Sequence, residues 1–440
     1  MRHKRLLAAC LAAGLALLAG CSAPSSGGST GSVTLTYLTF ETPSLTASFW
    51  DTSIANANKK VPGVTIKKLV APSTDRDAYA KQLQASGQFP DLLQSITPST
   101  FVQAGLLKPY DQTWVDANFL LPLGNAYKGK VYIPPTNSQI IPMVFYNKTL
   151  FTKAGLDVNN PPKTWADVRA AAKKIAATGG GVAGYADYSA GNTGGWHFTA
   201  ELYSQGGTIL STDNKSAAFD NAQGKQVLQN LKDMRYADNS MGSRQLLQWA
   251  DLLTNAAAGK VGMFIGAPDA TTAIVQQFQG KYQDWAMAPM PGQDGAAKGT
   301  LGGGEGYFFR KDLTPDQVKA GLKWIAFEKL TPGKGQFDYA RAKPQNQPVG
   351  LPQPLLFTAG SAAQKQELDL RKANQNVPSE NFGLFEATPV PIKGEPANAQ
   401  AIYAVLDNAM SGVLTNPNAN IDALLKTAET KTNQLLAADK

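Results

Sequence analysis

Nucleophilic and metal chemistry have little to work with in this chain. Its 440 residues include two cysteines and two histidines. Cys10, Cys21 and His3 all lie near the N-terminus, which leaves His197 as the one histidine of the main body. A Ser-His-Asp triad would have to be built on His197, and a zinc site would lack its usual His and Cys ligands. His197 is therefore expected on a pocket wall or at the surface, and no disulfide or thiolate metal site is expected. The glycine run from Gly302 to Gly306 is no dinucleotide fingerprint, because Tyr307 stands at the third glycine position. No cofactor is expected. The chain carries 41 Lys plus Arg against 33 Asp plus Glu, a net charge of +8. Three of those cations (Arg2, Lys4, Arg5) fall within the first five residues, and no long basic block follows. Such a balance gives no electrostatic footprint for nucleic acid.

The N-terminus has the layout of a secretory signal. A basic start, Met1 to Arg5, precedes an apolar run from Leu6 to Leu18 and then small residues. That run is shorter than the roughly 20 residues a membrane-spanning helix needs. Leu18-Ala19-Gly20-Cys21 resembles the lipobox of bacterial lipoproteins. The resemblance implies cleavage after residue 20 and lipid on the Cys21 thiol. Residues 21–32 are Cys21 followed by Ser, Gly, Pro, Thr and Ala alone, a flexible tether with a reach of roughly 20 Å.

Strand and helix patterns alternate from there. Val33, Leu35 and Tyr37 alternate with threonines, a strand pattern, and Val64 with Ile66 suggests the next strand. A helix carrying Phe49 and Ile54 lies between them. Thr164-Trp165-Ala166-Asp167 opens a helix as a capping box, and Gly179 to Gly181 stop it. Thr314-Pro315-Asp316-Gln317 opens another, with Val318, Leu322 and Ile325 as its expected buried face. Val261 to Ile265 reads as a buried strand, and Ile402 to Val413 as a C-terminal helix. The alternation implies an α/β architecture.

One stretch moves the reading from class to family. Gly129-Lys130-Val131-Tyr132-Ile133-Pro134 leads to Tyr146-Asn147-Lys148, Ala154-Gly155-Leu156 and Pro162-Lys163-Thr164-Trp165. Their order and spacing resemble the extracellular solute-binding proteins of carbohydrate ABC importers, the maltose-binding-protein-like family, here in lipoprotein form. Pro90-Asp91-Leu92-Leu93, Gln205-Gly206-Gly207, Gly259 to Met263 and Gly302 to Phe308 extend the resemblance over most of the chain. Asn147-Lys148-Thr149 matches a glycosylation sequon but is read as family scaffold. The resemblance implies two α/β lobes of the periplasmic-binding-protein type, joined by hinge crossings, with ligand in the cleft between them. Lobe 1 would comprise 33–140 plus 304–352, and lobe 2 would comprise 141–303 plus 353–440.

A sugar offers an apolar C–H face and a hydroxyl edge, so its site wants flat rings and a polar rim. Family contact points, carried onto this sequence, fall on Glu41 after the first strand and on Gln94, Ser95 and Thr97 after the Pro-Asp strand. They also fall on Gln139 before the Tyr-Asn-Lys strand, Trp196 as a stacking ring, Asp269 after the buried strand, and Glu305 on the glycine-rich crossing. Asp269 can equally be a helix N-cap. Tyr146 and Trp165 read as core packing, and Trp249, Trp285, Phe382 and Phe385 are aromatics without an assigned place.

The expected function is that of a monomeric, lipid-anchored binder on the outer face of a bacterial cell membrane. It captures a sugar or oligosaccharide and passes it to ABC permease subunits, making and breaking no bond. Two alternatives stay open. One is a secreted glycoside hydrolase using a pair among Glu41, Asp269 and Glu305, which needs carboxyls about 5–10 Å apart. The other is a binding lipoprotein for a non-sugar cargo or for sensing.

Overall fold

The computed structural model describes residues 32–41, 46–71, 76–95, 98–118, 126–127, 130–132, 139–304, 306–352, 356–357, 360–387, 390–396 and 398–438. Cys21, Thr97 and Glu305, together with the signal and tether, lie outside the described residues. In chain order the strands are β1 (Val33–Thr39), β2 (Val64–Val70), β3 (Leu92–Ser95), β4 (Leu107–Lys108), β5 (Ala126–Tyr127), β6 (Lys130–Val131) and β7 (Gln139–Ile140). There follow β8 (Met143–Asn147), β9 (Ala183–Tyr185), β10 (Val261–Gly266), β11 (Trp285–Ala288), β12 (Thr300–Gly304), β13 (Gly306–Arg310) and β14 (Ile392–Gly394).

The chain folds into two α/β lobes of the periplasmic-binding-protein type. The first is built on a five-stranded sheet in the order β2-β1-β3-β13-β4. β1 runs parallel to β2 and β3, and β13 runs antiparallel to β3 and β4. Side chains alternate across this sheet because successive strand residues point to opposite faces. Leu35, Tyr37, Leu92, Tyr307 and Phe309 enter one core with the helices Ala47–Lys60 and Pro315–Lys329. Leu38, Phe40, Leu93 and Phe308 enter another with the helices Arg76–Ala85 and Pro98–Gln103.

The second lobe is built on a four-stranded sheet, β11-β8-β10-β9, with the same device. Val144, Tyr146, Met263 and Ile265 face the helices Trp165–Ala176, Thr193–Ser204 and Ala399–Thr415. Met143, Phe145, Phe264 and Trp285 face Trp249–Ala257 and Asp269–Phe278. β8 and β10 are buried along their whole length, as the continuous apolar run Val261 to Ile265 requires of a strand covered on both faces. Trp165 and Tyr146 pack in this core as expected, and Trp285 and Phe382 join it. A third sheet, β14-β12-β7, and a hairpin, β5-β6, complete the strands of the described residues.

Local signals act as read. Thr164 caps its helix from the Asp167 N–H while the Asp167 carboxylate returns to the Thr164 N–H at 3.0 Å. Thr314 and Gln317 form the second box around Pro315. One face differs from expectation. On the Pro315 helix, Ala320, Trp324, Phe327 and Glu328 are buried with Ile325, whereas Val318 and Leu322 are only partly so. The segment around Gly335 covers an additional side of this helix, where Ser53 Oγ donates to Glu328 Oε2 at 3.2 Å. Among the described residues, no helix is long and apolar enough to cross a membrane.

Candidate functional site

In open α/β sheets ligands gather beyond the C-terminal ends of strands, and the register here shows what collects there. In the first lobe, Ser95 ends β3 opposite Gly306, and Gln94 lies opposite Tyr307. Along the same chain, Gly304 pairs with Gln139 and Gly303 with Ile140. The glycine-rich crossing therefore passes directly from the third sheet into the first lobe. The backbone of Gly304 pairs with Gln139 and that of Gly306 with Ser95. These glycines are strand residues, not a free loop.

Glu41 is exposed just past β1. The preceding Phe40 is buried, and its carbonyl accepts the Trp50 Nε1–H at 2.8 Å. Gln94 has turned inward. It is only 3 % exposed, and its Oε1 accepts the Tyr37 hydroxyl at 2.6 Å within the aromatic core of the first lobe.

In the second lobe, β9 and β10 run parallel and both end toward the same edge. Past β10, Asp269 is exposed as the first residue of its helix, and Pro268 takes the N-cap position. The N-cap alternative for Asp269 thus shifts by one residue. β8 starts at that edge too, since Met143 pairs with Gly266. Past β9, the loop through Gly191 leads into the helix Thr193–Ser204. Trp196 is half-buried on its first turn, packed on the lobe core and edge-on to His197 at 5.1 Å between ring centres.

His197 is not at the surface or on an open wall; it is fully buried. Its Nδ1 lies 2.9 Å from Asp187 Oδ1, and its Nε2 faces the Ile265 carbonyl at 3.3 Å. Tyr188 packs edge-on against the imidazole at 4.3 Å and against Trp249 at 4.6 Å. Burial, then the nearby Asp269 and Asp187 carboxylates, push the Tyr188 phenol well above its ordinary value. Burial and Asp187 do the same to the Glu201 carboxyl. A polar cluster thus sits beside Trp196 and ties its helix to Ile265 of β10, four residues before Asp269. Spacing does not reveal Asp187 and Tyr188 as its members, because the segment after β9 meets His197 only in the folded lobe. Among the described residues, no group of three or more His, Cys, Asp or Glu is placed to hold a metal ion.

The crossing has its own titratable group. Glu395 follows β14, which pairs with β12. Burial pushes its carboxyl from 4.5 up to about 7, although the Tyr403 hydroxyl, 3.2 Å away, pulls the other way. The native state then holds a proton between those values that the unfolded chain has lost. Stability should fall as pH rises from about 4.5 to about 7. Urea denaturation across that range is expected to show the slope, and Glu395→Gln is expected to flatten it.

Residues 42–329 match the profile of the bacterial extracellular solute-binding proteins. The chain belongs to that family. Among curated members, the sn-glycerol-3-phosphate-binding periplasmic protein of Yersinia pestis is 34% identical over 130 residues, 26% of this chain and 29% of that protein. The protein of that name from Brucella abortus is 55% identical over 51 residues, 12% of each chain. The chain thus matches well under two thirds of the length of these relatives.

Solved solute-binding proteins align over nearly the whole chain. The cyclic α-maltosyl-1,6-maltose binding protein of Arthrobacter globiformis superposes with a TM-score of 0.69 at 20% identity, covering 93% of this chain and 100% of that one. A solute-binding protein of an ABC transporter from Thermotoga lettingae, bound with α-D-tagatose, gives 0.68 at 21% identity, covering 92% and 100%. At these identities the likeness is one of fold.

Proposed function

We propose that this chain captures a sugar or oligosaccharide outside a bacterial cell and delivers it to the membrane subunits of an ABC importer. The family match over residues 42–329 carries this reading. Solved proteins of the same fold bound to tagatose or named for a cyclic maltosyl-maltose support the cargo class. Trp196 supplies the ring on which a sugar face stacks. Asp269, Glu41, Ser95, Gln139 and Glu305 supply the hydroxyl-binding rim, and Gln94, turned into the core of the first lobe, backs it without reaching the solute. The lobes, 33–140 with 304–352 and 141–303 with 353–440, close on the solute by bending at the crossings. Affinity and closure are the whole mechanism, and no bond is made or broken. Lipid on Cys21 holds the body at the outer face of the membrane through the 21–32 tether.

A second reading has a specific observation behind it. The curated relatives at 34% and 55% identity are named for sn-glycerol 3-phosphate, so a glycerol phosphate is the competing solute. A thermal-shift screen of the chain from Ser22 separates the two. A true ligand at about 100 times its Kd adds roughly 2.7 kcal/mol of stability. Shifts from sugars support the proposal. A flat response to sugars with a shift from sn-glycerol 3-phosphate replaces it, and turnover of labelled oligosaccharide would make the protein a hydrolase instead.

A further inference from the structure

The loop that delivers Trp196 is glycine-rich, yet it is tied down from a distant part of the chain. Asp407, on the helix Ala399–Thr415, is partly buried against it. Its Oδ2 accepts the Asn192 N–H at 2.5 Å, and its Oδ1 accepts the Gly195 N–H at 2.7 Å. The Gly194 N–H faces the same carboxylate. Two of these three amides open the helix Thr193–Ser204, where the first N–H groups have no partner within the helix. Asn192 stands at the N-cap position in a left-handed conformation, φ 70°, and its side chain makes no capping bond. Its Nδ2 donates instead to the Gln400 carbonyl at 3.2 Å, on the same distant helix. Asp407 thus caps from another helix what the local sequence leaves open, and the positive end of the Thr193 helix favours that carboxylate. Burial pushes the Asp407 carboxyl up, while the three amides draw it down.

The two helices also touch backbone to backbone. A Cβ on Gly195 would lie 2.3 Å from Tyr403 Cα, and one on Gly194 would lie 2.8 Å from Asp407 Oδ1. Trp196 is the next residue. Its backbone is therefore fixed by a carboxylate and by a helix contact, both more than 200 residues away in sequence.

We propose that Asp407 is a positioning residue for solute binding: it holds the Asn192–Gly195 amides so that the Trp196 ring is presented in one orientation. The inference rests on the reading of Trp196 as a ligand-contacting ring. Asp407 itself is assigned no contact with solute. Asp407→Asn keeps the size of the side chain but turns one of its two acceptors into a donor facing an N–H.

The test has two arms on the mature chain. Without ligand, the indole N–H resonances of the seven tryptophans are compared in the wild type and in Asp407→Asn, with Trp196→Phe assigning the relevant one. The Trp196 signal is expected to shift or broaden while those of Trp50, Trp114, Trp165, Trp285 and Trp324 hold. A lower melting temperature with an unmoved Trp196 signal would make Asp407 merely structural and overturn the proposal.

With ligand, maltotriose affinity is measured in the wild type, Asp407→Asn, Trp196→Ala and the double variant. Asp407→Asn is expected to weaken binding about tenfold alone and less than about twofold on top of Trp196→Ala, because acting through Trp196 makes the effects non-additive. Full additivity, or unchanged binding in Asp407→Asn, overturns it. If the wild type binds no sugar, the proposed function fails, and the indole spectrum still decides the role of Asp407. If Asp407→Asn does not fold, amide exchange in the wild type decides: slow exchange at Asn192, Gly194 and Gly195 supports the proposal, and unprotected exchange refutes it.

Discussion

Replacing Trp196 by alanine is expected to remove about two thirds of the ligand-dependent stabilisation seen at about 100 times the wild-type Kd. A large ring at the centre of a binding surface is the type of residue whose truncation costs about 2 kcal/mol or more, which is roughly a 30-fold loss of affinity. This side chain is partly buried against the core of the second lobe, so some loss of stability without ligand accompanies the change. The two effects separate by titration well below the melting temperature. Trp196→Phe, which keeps a flat ring, should retain much of the affinity. Binding that survives Trp196→Ala unchanged would move the solute away from the first turn of the Thr193 helix.

Gly195→Ala is expected to be the most damaging small substitution near the site. The new methyl would sit 2.3 Å from Tyr403 Cα and 2.4 Å from its carbonyl oxygen. Those are backbone atoms of a packed helix, so no side-chain rotation relieves the clash. Overpacking of this kind costs about 1–3 kcal/mol and occasionally more; here the upper end or beyond is expected, because two helices must separate. Urea denaturation should show a lower midpoint, and solute affinity should fall with it, since the same displacement pulls Gly195 from Asp407. A variant as stable as the wild type would mean that the two helices are not held in this contact.

Much of the scaffold is legible in the sequence because the signals that build it are local. Thr164 with Asp167, and Thr314 with Gln317, state their helix starts within four residues. The run Val261 to Ile265, between Gly259 and Gly266, reads as a buried strand and is one. The site is less legible, and the reason is physical. Leu92-Leu93-Gln94-Ser95 has apolar residues on both faces of its strand, so alternation does not say which way Gln94 turns. Its partner, Tyr37, lies 57 residues earlier. His197 reads as a pocket-wall or surface residue because its composition is polar, yet Asp187 and the Ile265 carbonyl meet its ring nitrogens in the interior. Asp407 belongs to a helix whose pattern announces only its buried face, and nothing local marks a carboxylate that caps a helix begun 214 residues earlier.

The position of β13 inside the first sheet has a consequence for how the chain can be made. β13 separates β3 from β4, yet it comes after the entire four-stranded sheet of the second lobe in the sequence. A chain emerging from its N-terminus first therefore presents β1, β2 and β3 with one β3 edge still lacking its partner, and an unpaired edge is a template for association with other chains. By contrast, all four strands of the second sheet lie between Met143 and Ala288 and can pair before β13 exists. The lobe begun first in the sequence is thus the one whose sheet is finished last. During folding, its open flank is a hazard that ends when Gly306 to Arg310 slide into place.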